Sequence, residues 1–161
     1  MTFTQATELL RTALVAYLIQ GDPSRSLEGL LNVLAADPDD SSAPALFAGT
    51  RSQAPPVFPS MTYRVGASSP DNQMRTGEAG MAGAVIRLRL EFEAWSGSAD
   101  TAGVAAIAGT VEALLHNKGF SLGSGSRCFR TLLVTSQPDL FDRDTNAWYG
   151  LFAYELFIQL P

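Results

Sequence analysis

One cysteine and one histidine are all that 161 residues supply, and that scarcity removes several chemistries at once. Cys128 has no partner for an internal disulfide, and one thiol with one imidazole cannot assemble a Cys/His zinc site. A chain without disulfides suits a reducing, cytosolic compartment. Charge is sparse as well: Asp, Glu, Lys and Arg make up 17% of residues, with a net charge of −5 and a pI near 4.7. That balance argues against a grip on nucleic acid through its phosphates, though not against a place beside DNA. No apolar run approaches the roughly 20 residues that cross a bilayer. The run at residues 13–19 is short, and Glu155 interrupts residues 151–160. Residues 1–5 place no basic stretch before an apolar core, so no signal peptide is expected.

Familiar catalytic signatures are also missing. There is no Gly-Lys-Ser/Thr of a phosphate loop and no Gly-x-Ser-x-Gly nucleophile elbow. Gly123-x-Gly125-x-x-Cys128 lacks the third glycine of a dinucleotide loop and leads into a strand, where phosphate binding needs a helix N-terminus. Lone His116 follows Leu114-Leu115 near a helix end and suits a capping or dipole role. Cys128, alternating with Phe129, reads as a small core residue. Asp142, Asp144 and Asn146 match the first, third and fifth places of a calcium loop. Ala147 then stands where glycine is required and Ala153 where a bidentate Glu is required, so the segment reads as a solvated turn. Asp37, Asp39 and Asp40 read as turn residues. Neither an enzyme, a cofactor nor a metal is indicated.

What is present is a folding pattern. With 46% hydrophobic residues, the chain is an ordinary globular one, and residues 1–161 suit one domain that buries about two-thirds of its unfolded surface. Thr2-x-x-Gln5 resembles a capping box, and Leu10, Ala13, Leu14, Tyr17 and Leu18 continue as a helical stripe that Gly21-Asp22-Pro23 ends. Leu27, Leu30, Leu31 and Leu34 predict a second, short helix. Five prolines between residues 37 and 59 predict an extended connection, so residues 20–59 comprise a short helix and a Pro-rich passage. Strands follow at 61–67 and 85–95, separated by a loop at 68–82 that is long, glycine-rich and expected to be mobile. A helix carries Val104, Ile107, Ala108, Val111, Leu114 and Leu115 on one face. Residues 127–135 and 148–160 supply two more strands, with a polar turn opening at Gln137-Pro138-Asp139. The expected architecture is α+β: one antiparallel or mixed four-stranded sheet with helices packed on one face, in the order α-α-β-β-α-β-β.

The strand at 85–95 carries the strongest signal. Ile86, Leu88, Leu90, Phe92 and Ala94 point one way, while Arg87, Arg89, Glu91 and Glu93 point the other. Such a two-signed strip is of little use to a catalytic pocket. On a lone strand it suits first a solvated outer face kept soluble by charge, and otherwise a surface that meets copies of itself or a partner, because opposite charges fix register. Arg75 and Glu78, in the long loop, join those four as candidate interface residues.

This layout resembles the tail-terminator, or tail-completion, proteins of long-tailed bacteriophages. The resemblance is carried by the helix at residues 8–14, the proline-led strand at 59–65 and the strand ending Phe92-Glu93-Ala94-Trp95-Ser96. The small-residue helix from Ser98 to Leu115 and the aromatic last strand complete it. It implies a ring, commonly of six subunits, that ends the tail tube and joins the tail to the head connector (stopper). DNA would pass through without specific binding, with no membrane partner. It implies a place in the virion at the tail–head junction, after assembly in the host cytoplasm. A head-completion or neck protein of the same particle, or a small α+β ligand-binding module, are the alternatives.

Overall fold

The computed structural model describes residues 2–49, 55–68, 83–97, 99–116 and 119–161. Helix α1 spans Phe3–Gln20. It starts as the capping box predicts, because the Thr2 hydroxyl accepts from Gln5 N while the Gln5 side chain accepts from Thr2 N. It ends at Gly21, whose φ of 82° lets its N–H turn back to the Tyr17 carbonyl.

The second predicted helix does not form. A two-residue strand β1 (Gly21–Asp22) pairs antiparallel with β2 (Leu27–Glu28), and only a single 3-10 turn follows at Leu30–Asn32. The leucine spacing misled because Leu30 and Leu34 are core residues while Leu31 is exposed. Gly21 and Gly29 allow the chain to pass close to the end of α1. A Cβ on Gly29 would lie 2.2 Å from the Ile19 carbonyl oxygen.

The main sheet also differs from expectation. Among the described residues it has six strands, not four, in the order β3-β4-β5-β8-β7-β6. These are β3 (Leu46–Ala48), β4 (Ser60–Ser68), β5 (Val85–Ser96), β6 (Phe120–Gly123), β7 (Ser126–Asp142) and β8 (Ala147–Gln159). Strand β3 runs parallel to β4; all other neighbours are antiparallel. The Pro-rich passage supplies β3, held from the other side where Met61 N donates to the Ala45 carbonyl at 3.0 Å. A tight connection turns β6 into β7, and Gly123, Ser124 and Gly125 take positive φ there. The predicted turn at Gln137-Pro138-Asp139 is instead a register shift inside β7. Proline, which lacks an N–H for the ladder, is tolerated in an irregularity of this kind.

Helix α2 (Ala102–His116) and α1 share one core with the sheet. Val104, Ile107, Val111, Leu114 and Leu115 meet Ile86, Leu88, Leu90 and Phe92 of β5 and Phe152, Tyr154, Leu156 and Ile158 of β8. Phe92 stacks on Phe152 with ring centroids 5.1 Å apart. Burying each such side chain contributes roughly 1.5–3 kcal/mol. Helix α2 packs tightly over Gly150, where an added Cβ would be 2.9 Å from a Val104 methyl. Among the described residues, no helix is long and apolar enough to cross a membrane.

Candidate interaction surface

The alternation in β5 has a direct physical outcome. Its apolar row enters the core, and Arg87, Arg89, Glu91 and Glu93 lie on the other face of the sheet, between β4 and β8. Register places their neighbours. Glu91 is flanked by Arg64 and Ala153, Arg89 by Gly66 and Glu155, and Glu93 by Thr62 and Leu151.

Glu91 is the hub of this face. Its Oε2 accepts from Arg64 Nη2 at 2.6 Å, and its Oε1 accepts from Arg89 Nε at 2.8 Å. The Arg64 hydrogen bond, with that from Arg89, holds the Glu91 carboxyl below its usual range against a burial effect that raises it. A second arginine nitrogen of Arg89 stands 4.0 Å from Glu155. Glu93 accepts from the Thr62 hydroxyl and from Trp95 Nε1, both at 3.2 Å. Trp95 is 6% exposed, because its ring stacks on Tyr149 at 4.8 Å and Phe58 lies beyond it. At the opposite end Arg130 of β7 lies over the Phe157 ring, 5.5 Å from its centroid. Arg87 is in register with that same Phe157.

The face is therefore ordered along its strands. An aromatic patch at Trp95 and Tyr149 gives way to Glu93 and Glu91, and then to Arg89, Arg87 and Arg130. Between them lies a shallow cavity of about 220 Å³ whose lining includes Thr62, Arg64, Arg89, Glu93, Thr135 and Leu151. Its acids are already hydrogen-bonded to arginine, threonine or tryptophan, so none stands as a free general base.

The sequence-predicted residues separate accordingly. The structure brings Arg87, Arg89, Glu91 and Glu93 together on one face, while Arg75 and Glu78 lie outside the described residues. Arg64, Arg130 and Glu155 were missed, because cross-strand register is not written in any one strand. Elsewhere, Cys128 is buried and its thiol is pushed up, first by burial. His116 is an exposed residue in the last turn of α2. Asp142 braces its own turn, accepting from Asp144 N at 3.0 Å and the Thr145 hydroxyl at 2.7 Å. Among the described residues, no group of three or more His, Cys, Asp or Glu is placed to hold a metal ion.

The described residues thus present a surface of paired charges and aromatics on a sheet, an arrangement suited to contact with other proteins. The model of the family described as Tail completion protein gp17 matches residues 28–159, and the chain belongs to that family. Comparison with curated proteins yields no match. Membership makes it a structural component of a phage tail, located in the virion and in contact with other tail components.

Proposed function

We propose that this chain forms a ring that ends the tail tube and joins the tail to the head connector. The charged strip Arg87, Arg89, Glu91 and Glu93 helps to set how copies and tail components align, together with Arg75 and Glu78. The observation that carries the reading is the two-signed face of β5, in a chain of a tail-completion family. Opposite charges at fixed spacing favour one alignment and reject others. Six copies at −5 each bring a total charge of −30 to the ring. An acidic channel of that kind repels DNA phosphates and lets the genome slide through without specific binding.

Electron micrographs of particles assembled without the protein test the reading. Overlong tails unattached to heads are expected. Leaking heads beside free tails of normal length would assign a head-completion role instead. Reversing both Arg87 and Arg89 to Glu is expected to block ring formation while the subunit stays folded.

A further inference from the structure

A ring of more than two identical subunits cannot be built from one self-complementary patch. Each copy must offer two different patches that fit one another. The two flanks of the main sheet differ in a way that supplies such a pair. On one flank β6 covers β7 only as far as Cys128, and among the described residues no strand pairs with the outer edge of β7 beyond it. On the other flank β3 covers β4 only at Met61–Tyr63, and among the described residues no strand pairs with the outer edge of β4 from Arg64 onward.

Register across the sheet puts these two open stretches at the same height. Gly66 lies level with Arg89, Glu155 and Leu132, and Val65 lies level with Leu90, Tyr154 and Leu133. Arg64 is likewise level with Glu91, Ala153 and Thr135. Strand direction matches too. From β4 through β5 and β8 to β7 every pair is antiparallel, so the β7 of one copy meets the β4 of the next antiparallel and the alternation continues unbroken. β6, at the start of β7, lies beyond the open stretch of β4, whereas β3 lies beside Met61–Tyr63, level with β7 from Ser136 onward. The arriving strand therefore pairs only through Thr135 and leaves the edge beyond it, where β7 carries a register shift between Gln137 and Leu140.

Side chains fit the same arrangement. Residues 131–135 of β7 (Thr-Leu-Leu-Val-Thr) contain neither the charges nor the proline that normally protect an edge. Leu133 and Val134 are 55% and 45% exposed. Beside the open edge of β4 runs a groove of about 860 Å³ between that strand and α1, with Val15, Ala16, Ile19, Tyr63 and Val65 in its lining. Arg11 also lines it, and its buried Nε has no hydrogen-bond partner. Leu133 of an arriving strand falls on the helix side of the sheet at the height of Val65, where this groove opens. Leu132 falls on the charged side over Gly66, where an added Cβ would meet nothing within 4 Å.

We infer that the open edge of β7, at residues 131–135, adds as a strand to the open edge of β4, at residues 64–68, on a second copy of this chain. Main-chain hydrogen bonds supply the pairing, and Leu133 seated beside α1 supplies apolar burial. Repeated around the ring, the contact fuses the sheets and joins each charged strip to the next. The inference rests on the ring reading above.

The test places cysteines at the paired positions, Leu132→Cys with Gly66→Cys, since opposite residues in such a pair have Cβ atoms about 5 Å apart. The one native thiol is buried. Oxidation, or a bismaleimide spanning about 8 Å to reach diagonal neighbours, is applied to assembled tails and to the purified chain. The double variant is expected to give a covalent ladder of multimers, and each single variant only monomer. Amide exchange of the unsubstituted chain at 64–68 and 131–135 is expected to slow at least about tenfold on assembly, as for newly formed sheet hydrogen bonds. A ring that forms without the ladder and without slower exchange overturns this inference and leaves the ring reading standing. Dimers from either single variant overturn it in favour of a two-fold contact. A chain that forms no ring, in solution or on tails, overturns both.

Discussion

Arg25 donates a hydrogen bond of 2.8 Å to the main-chain carbonyl of Leu114, 89 residues further along the chain. The same guanidinium holds Asp22 through Nε at 2.8 Å and bonds the Tyr17 hydroxyl, which itself donates to the Leu114 carbonyl at 2.9 Å. One arginine thus ties the end of α1 to the last turn of α2, where unpaired helix carbonyls attract a cation. Replacing it removes the ion pair to Asp22 and leaves that carboxylate with the Ser24 hydroxyl and the Leu114 carbonyl with the Tyr17 hydroxyl. Arg25→Ala is expected to cost about 2 kcal/mol of stability, read as a lower urea midpoint with unchanged slope. A midpoint equal to that of the parent would show the network idle.

The same cluster contributes to the pH dependence of stability at both ends. Hydrogen bonds from Ser24 and then Arg25 hold the Asp22 carboxyl down at about 2, from 3.8. The unfolded chain takes up that proton first, so the contribution is complete above about pH 4 and is lost as pH falls toward 2. It is on the order of 1 kcal/mol, since water reaches the loop and screens the pair. Burial raises the Tyr17 hydroxyl from 10.0 to about 12, with Arg25 opposing. A raised value reverses the direction: stability is full below about pH 10 and is lost between 10 and 12. Thermal midpoints across pH should fall at both ends, and Asp22→Asn should flatten the acid limb alone.

Two glycines make opposite forecasts for one substitution. A Cβ at Gly150 would lie 2.7 Å from the Phe152 ring and 2.9 Å from Val104, whereas one at Gly109 meets nothing within 4 Å. Gly150→Ala is expected to destabilise by roughly 1–3 kcal/mol through overpacking. Gly109→Ala, in the middle of α2, is expected to stabilise by about 0.5–1 kcal/mol. Chemical denaturation of the pair checks both, and a stabilised Gly150→Ala would contradict the close seat of α2 on the sheet.

The charged face should matter more for assembly than for folding. Arg64 is 64% exposed at its side chain, and exposed ion pairs contribute about 0–1 kcal/mol. Arg64→Ala is therefore expected to shift the unfolding free energy by less than about 1 kcal/mol. A much larger loss would mean that the hub at Glu91 holds the fold together.

Cys128, fully buried with a raised thiol, is expected to react with iodoacetamide far more slowly in the native chain than in urea. Equal labelling rates would place it at the surface.

How much of this was legible depended on how local each signal was. The capping box at Thr2 and Gln5, the stop at Gly21 and the two faces of β5 are local, and each stands as the residues suggested. The two glycines of α2, Gly103 and Gly109, look alike in sequence yet differ in packing, since Gly109 has open space where a Cβ would go. An added Cβ at Gly103 would lie 2.8 Å from the Ser96 hydroxyl. Non-local features were not legible. Strand β3 joins the sheet through a parallel pairing with β4 that no turn announces. The bulges in β7 hide its true length behind a Gln-Pro-Asp sequence that ordinarily ends a strand. The charged face was half visible, because Arg64, Arg130 and Glu155 reach it only through the register of other strands.

Strand β8 is later in the chain than every other strand of its sheet, yet it lies between β5 and β7 and pairs with β5 over twelve residues. While the ribosome is still making residues 147–159, the β4–β5 half and the β6–β7 hairpin have no ladder between them. A nascent chain at that stage holds two unsatisfied inner edges lined with Leu, Ile and Phe, an invitation to aggregation. Truncated chains that lack β8 are therefore expected to aggregate more readily than the full chain, a difference that light scattering of the two would read.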